Sequence, residues 1–277
     1  MTTGLATNAA SETAGGIRIE DETRSRQQKW ARERFRILSH VGRWGRARRW
    51  LSVDATKVLD VGCAFGYGTV AIASGREGKR WVAGVERDEL NIRIACRAYP
   101  WLPMVQADAT TLPFPDESVD AVLILDVVEH LDNPEGVLAE VRRVLKPGGS
   151  LVLSVPHKGL FAAMDSNNAY EALRRRFPSF LPLEPCEESA SGTHRHYSID
   201  EVRALIGPGF DIDRSSRTGV GLAEALHLGI LVVFKGLLRW RGGYMVLRHL
   251  YFTAFLLEDL IPTGPLGYSL TVRARAV

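Results

Sequence analysis

Residues 57–69, KVLDVGCAFGYGT, form a short β-rich apolar run that ends in an acid and passes into a glycine-rich turn able to open a helix. Gly62, Gly66 and Gly68 allow backbone angles closed to other residues and let a ligand lie against the main chain. A helix beginning near Gly68 points its free N–H groups at whatever anionic end arrives. Such a stretch can also be an ordinary strand-to-helix turn, so its meaning depends on the residues that follow.

Downstream, acids fall at successive strand ends. The run RWVAGVE, 80–86, is apolar and stops at Glu86, about one strand–helix–strand step after the glycine turn, where an acid is placed to hydrogen-bond ribose hydroxyls. A third short strand at 102–106 precedes Asp108, and the continuous apolar run 119–125 is closed by Asp126. A run without alternation suits a strand buried on both faces. In open parallel sheets ligands sit outside the carboxyl ends of the strands, so Asp60, Glu86, Asp108 and Asp126 are expected along one rim. Residues 66–71 formally fit G-x-G-x-x-A, but that dinucleotide fingerprint should start directly after the strand, and Gly66 lies several residues past Val61. An acidic rim also suits a positively charged ligand better than a pyrophosphate.

The ordered segments DVGCAFGYGT, Glu86, Asp108-Ala109, LPFPDESVDAVLILDVVEHL and LAEVRRVLKPGGSLVLSVP resemble the motifs of class I S-adenosylmethionine-dependent methyltransferases, in particular the small-molecule, type 11-like branch. The resemblance covers about 56–156. It implies a Rossmann-like fold, a mostly parallel seven-stranded sheet flanked by helices with an inserted helical segment, and S-adenosyl-L-methionine as cofactor. On matching positions it implies Asp60 and Gly62 beside the methionine part, Glu86 on the ribose, Asp108 on the adenine amine, Ala109 in the adenine pocket and Asp126 near the transferred methyl. Cys63, Ala64, Gly66 and Arg87 complete the implied cofactor set. Ala64 stands where many members have glycine, and a slightly tighter loop is expected there.

The chain's 277 residues, 45% hydrophobic and 24% charged, suffice for one α/β core with additions. A net charge of +3 does not by itself point to nucleic acid. Basic clusters at 43–49 and 174–176 lack an aromatic-rich RNA-binding motif and read mostly as solvated arginines. Cys63, Cys96 and Cys186 make no disulfide framework and no C-x-x-C pair, which fits a reducing cytoplasm. Cys186 with His194 and His196 matches no common zinc spacing, so no metal is expected.

Residues 1–26 lack a secretion signal's pattern and read as a flexible tail, with one methyltransferase domain over 27–277. Within it, 27–51 shows helical periodicity, with Trp30, Phe35, Ile37, Leu38 and Val41 among arginines, and forms a helical cap. Strands at 57–61, 80–86, 102–106, 119–125 and 151–155 alternate with helices at 68–74, 89–99 and 134–145, with a Pro147-Gly148-Gly149 turn before the fifth strand. A capping box at Ser198 opens a helix. Strands at 210–217 and 270–276 follow, the last antiparallel. The segments 157–197 and 219–267 exceed what such a core needs and read as substrate-side or lid insertions.

The expected reaction is in-line displacement at the sulfonium methyl, with O-methylation of a small-molecule, sugar or lipid-linked acceptor as the leading reading. N- or C-methylation is the alternative within enzymes. From other classes come a non-catalytic cofactor-binding scaffold and, more distantly, a dehydrogenase. His157, His194 and His196 are the candidate bases, with Asp165 as an alternative; His130 of E-H-L reads as structural. The run Asp165-Ser166-Asn167-Asn168 suits either turn chemistry or a polyhydroxylated acceptor. The apolar pair of helices in 219–262, with a turn expected at Gly242-Gly243, is too often interrupted by charge to span a membrane. It is expected to act as a lid, a homodimer face or a peripheral membrane contact, the last because Trp240 lies between Arg239 and Arg241.

Overall fold

The apolar runs become the strands of one mixed sheet. In the computed structural model, which describes residues 42–74, 80–177 and 194–277, these are β1 (Lys57–Val61), β2 (Trp81–Glu86), β3 (Met104–Gln106), β4 (Val119–Leu125), β5 (Leu145–Pro156), β6 (Phe210–Thr218) and β7 (Ser269–Ala276). Their order is β3-β2-β1-β4-β5-β7-β6. The pairs among β1 to β5 are parallel, and β7 runs antiparallel to both β5 and β6. The chain therefore winds outward in both directions from the β1–β4 pair, and a crevice opens beyond their carboxyl ends. The expectations for 1–26, for Trp30, Phe35, Ile37, Leu38 and Val41, and for Cys186 lie outside the described residues.

Both faces of the sheet are buried, and alternate residues of each central strand serve opposite sides. Leu59, Val61, Ile124 and Leu153 pack with Val137 and Val141 of one helix and Val202 of another. Val58, Leu123 and Val152 pack on the other side with Ala47, Leu51 and Ile72. The helices concerned are α1 (Gly42–Trp50), α2 (Tyr67–Ala73), α4 (Pro134–Val144) and α6 (Ile199–Ile206), while α3 (Glu89–Ala98) covers the β2–β3 side. The capping box is complete: Ser198 Oγ accepts from the Glu201 N–H, and the Glu201 carboxylate accepts from the Ser198 N–H.

Two turn expectations need correction. Residues 146–149 remain within β5 as a bulge, because the β4–β5 register passes from Val119↔Leu145 to Ala121↔Ser150; only Gly148, at φ 71°, takes a left-handed conformation there. The helical pair consists of α7 (Leu222–Ile230), which runs on as a π-helix over Leu231–Leu237, and α8 (Arg241–Glu258). Gly242 and Gly243 thus lie inside α8, and the chain reverses before them, where Arg239 has φ 50°. Glycine is needed at Gly243 for packing: a Cβ there would lie 2.6 Å from Trp240 Cε3 and 2.8 Å from Phe234 Cδ1.

Candidate active site

The four rim acids have different surroundings. Asp60 is buried, and its Oδ2 accepts from Thr69 Oγ1 at 2.6 Å. Burial, partly offset by that bond and reinforced by Glu86, pushes its carboxyl up to about 6. A Cβ on Gly68 would meet Trp44 Nε1 at 2.7 Å, so α1 lies directly on the glycine turn over Asp60. Glu86, at the end of β2, accepts from the backbone N–H groups of Ala64 and Asp88, both at 2.9 Å, and braces the loop. Asp108 accepts from the N–H and Oγ1 of Thr110 at 2.8 and 2.6 Å, and these bonds hold it below the usual carboxylate range. Asp126, left-handed at φ 55°, accepts from Ser154 Oγ at 2.5 Å and pairs with Arg43 of α1.

The loop's geometry explains its composition. Gly62 and Cys63 both donate to Val85 O, at 2.8 and 3.0 Å. At φ 78°, Gly62 could carry no side chain, since a Cβ would meet Val127 Cγ2 at 2.3 Å. Gly66 has φ 80°. Ala64 has φ 45°, so its departure from glycine produces a strained left-handed residue where a tighter loop was expected. Cys63 turns its thiol inward against Gly84, and burial raises it well above the ordinary thiol range. Arg87 is exposed, its carbonyl accepting from Gln106 Nε2 at 3.3 Å, and Ala109 is half-buried against the core.

This donor set fits the cofactor that the resemblance implies. Carboxylates such as Glu86 and Asp108 are acceptors that would suit paired hydroxyls and an amine, and a negative rim would favour a sulfonium centre.

A second polar cluster lies beyond β4 and β5. Asp165 caps α5 (Ser166–Arg176) through its Oδ1, which accepts from Asn168 N at 2.9 Å. Its Oδ2 accepts from His194 Nδ1 and from Tyr268 Oη, each at 2.9 Å. Burial would raise this carboxyl, but the bonds from His194, the Asn168 N–H and Tyr268 outweigh it and lower the pKa. His194 Nε2 lies 3.2 Å from Asn167 Nδ2, and Asn168 exchanges two bonds with the His194 backbone, at 2.8 and 3.0 Å. The polar run 165–168 therefore spends much of its hydrogen bonding on holding the segment at His194. His196 Nε2 is 3.5 Å from Asp165 Oδ2, and burial lowers this histidine's pKa. His157 is tied elsewhere: Nδ1 bonds Gly267 O at 2.8 Å, and Nε2 accepts from Arg217 at 3.3 Å. His130 packs against the second cluster, its ring centroid 4.8 Å from that of His194; burial, helped by His194, brings its pKa down to about 4.

Sequence reasoning missed three groups here. Glu129, of E-H-L, is buried with Oε2 unpartnered, and burial pushes its carboxyl up to about 8 against a weaker pull from Arg43. Arg43, read as surface charge, instead pairs with Asp126 and stacks on Phe255, 5.1 Å from the ring centre. Arg46, 5% exposed, donates to Thr271 Oγ1, Thr218 Oγ1 and both the carbonyl and carboxylate of Asp259. A residue-type pattern could have flagged only Glu129. Among the described residues, no group of three or more histidines, cysteines or acids could hold a metal ion.

Comparison with known proteins agrees with this fold. A methyltransferase domain family model matches residues 59–153. A probable S-adenosylmethionine-dependent methyltransferase of Mycolicibacterium smegmatis is 36% identical over 105 residues, 38% of this chain and 40% of that protein. A demethylmenaquinone methyltransferase of Tropheryma whipplei is 31% identical over 193 residues, 66% of this chain and 79% of the relative. The chain thus aligns with less than half of the mycobacterial relative's length but with most of the second. Among solved structures, a possible histamine N-methyltransferase of Thermotoga maritima superposes with TM-score 0.52 at 17% identity, covering 88% of this chain and 94% of its own. The [4+2]-cyclase SpnF does so with TM-score 0.53 at 18% identity, over 84% and 79%. At such identities these likenesses show the fold alone. With the extended match to the Tropheryma relative, the strand order and the glycine turn beside β1, the chain belongs to the class I S-adenosylmethionine-dependent methyltransferase family.

Proposed function

We propose that the protein transfers the methyl group of S-adenosylmethionine to an acceptor carrying an acidic hydroxyl on an apolar, lipid-linked body. The observation that supports this reading best is the His194–Asp165 pair beside the carboxyl end of β4, its histidine oriented by a buried carboxylate. With Nδ1–H donated to Asp165, His194 Nε2, which lies 3.2 Å from Asn167 Nδ2, takes the acceptor's proton when the acceptor hydroxyl replaces the Asn167 amide there. Asp165 then stabilises the imidazolium, as the acid does in a Ser-His-Asp arrangement. The cofactor supplies a methyl whose carbon–sulfur bond breaks as the acceptor atom bonds to the carbon. The rest of the protein's contribution is alignment: Glu86, Asp108 and the loop at Gly62 hold one reactant, and residues 157–177 and 219–267 border the other.

Oxygen is the leading target. Carbon is the second reading, favoured by the extended match to a demethylmenaquinone methyltransferase, whose name implies a quinone ring; on the reduced, quinol form of such a ring, supplied as substrate, a deprotonated hydroxyl makes the adjacent carbon nucleophilic. Labelled S-adenosylmethionine with a series of phenols and naphthoquinols of graded acidity tests the proposal. His194→Ala and Asp165→Asn should lower kcat by roughly 10²-fold or more on weakly acidic acceptors and progressively less on acidic ones, with cofactor affinity unchanged. Equal losses across the series would remove His194 as base.

A further inference from the structure

The two sides of the helical pair differ. Its inner side is occupied: Ile230, Leu231 and Tyr244 pack with Tyr170 of α5. At the reversal between the helices, Leu237, Leu238 and Trp240 are 57%, 58% and 59% exposed. Along α8, Val246, Leu250 and Leu257 are 69%, 53% and 61% exposed. Their spacing of four and then seven residues puts all three on one stripe of the helix. Residues 225–257 also contain Arg239, Arg241 and Arg248 and no acid, besides Lys235, whose ammonium lies on the inner side, 4.4 Å from the Tyr244 ring centre. No helix among the described residues is long and apolar enough to cross a membrane.

We propose that this pair of helices seats the protein on an anionic lipid bilayer, with the Leu237–Trp240 tip and the α8 stripe in the headgroup boundary. An interfacial helix needs an apolar face and basic residues to match anionic headgroups, and both are present together. Trp240, folded back on Gly243 with its ring partly exposed, is the residue type that favours this boundary. A second copy of the chain fits less well. A two-fold contact through the same stripe would bring the basic, acid-free segments of both copies together, and like charges repel. The seat lies next to the proposed site, since Phe255 of α8 touches Arg43, the partner of Asp126. It deepens the lipid-linked acceptor reading without depending on turnover.

Sedimentation of the full chain with vesicles decides the matter. Vesicles of phosphatidylcholine alone are compared with vesicles containing roughly a third phosphatidylglycerol, at low and high salt. The protein should pellet with the anionic vesicles at low salt, stay largely in solution with the neutral ones, and be released as salt rises. Arg239→Glu with Arg241→Glu should weaken partitioning at least about 20-fold, from roughly a factor of five for each basic residue near the surface. Trp240→Ser with Leu250→Ser should weaken it on anionic vesicles as well, with an unchanged melting temperature showing that the fold is kept. Equal recovery of wild-type protein in the supernatant with both vesicle types would overturn the proposal however the variants behave. So would a lipid-free dimer, seen by light scattering, that Leu250→Ser dissociates. Loss of vesicle binding would leave the methyl-transfer reading intact, because the assay contains neither cofactor nor acceptor.

Discussion

Replacing Glu129 by Gln should change how stability depends on pH, and the size of the effect follows from its burial. Glu129 is 3% exposed with an unpartnered Oε2, and burial pushes its carboxyl up to about 8 in the folded protein, against 4.5 for an exposed glutamate. The folded state therefore holds the proton that the unfolded chain gives up. The stability linked to that proton is fully present below pH 4.5, declines as pH rises, and is exhausted above pH 8. Gln keeps the shape and a hydrogen-bonding end without the proton, so its curve lacks this slope. At 1.36 kcal/mol per pH unit, wild type should lose about 2–3 kcal/mol relative to Glu129→Gln between pH 6 and pH 9. Any constant packing difference cancels in that comparison. Urea unfolding of both proteins at pH 6, 7.5 and 9 measures it. Parallel stability profiles would show that Glu129 ionises freely in the folded state and that its burial has been misjudged.

Two further perturbations probe the backbone and the docking of α1. Ala64→Gly should raise stability by about 0.5–1 kcal/mol, because relief of roughly 1–2 kcal/mol of left-handed strain at φ 45° exceeds glycine's added unfolded-state entropy; a melting temperature that falls would contradict this. Arg46→Leu should destabilise by about 3–5 kcal/mol, since it takes the cation away from the buried Asp259 carboxylate and leaves the Thr218 hydroxyl donating to an unneutralised buried charge. Thermal unfolding would show it, and a shift within a degree of wild type would mean that α1 is not pinned through this residue.

Much of the architecture was legible because it depends on local chemistry. An apolar run that closes on an acid and a glycine turn is both a strand and a boundary, so β1, β2 and β4 and their terminal acids could be placed from residue order alone. The capping box at Ser198 and Glu201 is likewise a contact between residues three apart, and it formed as expected. Hydrophobic periodicity located the helical pair but not its reversal: Gly242 and Gly243 look like a turn, whereas Gly243 is glycine because Trp240 and Phe234 press on it.

Within the candidate site, the residue types were readable and their partners were not. Asp60 and Asp126 carry the same carboxylate at adjacent strand ends, yet one is buried beneath Trp44 beside Thr69 while the other meets Arg43 and Ser154. Nothing within a few positions of either residue distinguishes them. The same is true of the histidines. His157, His194 and His196 were equal candidates until Gly267 and Arg217 engaged the first, and Asp165, 29 positions away, oriented the second. Arg43 and Arg46 sit in one basic run and could only be read as solvated until α1 docked across β6, β7 and the end of α8. The sequence by itself determined the order of strands and helices, the acids at the strand ends and the cofactor class they suit, because those follow from contacts within a few residues. Only the tertiary structure decided which acid is buried, which histidine is oriented and which arginine is a fastener, because burial and hydrogen-bond partners come from other elements of the chain, 29 positions away for His194 and Asp165 and 225 for Arg46 and Thr271.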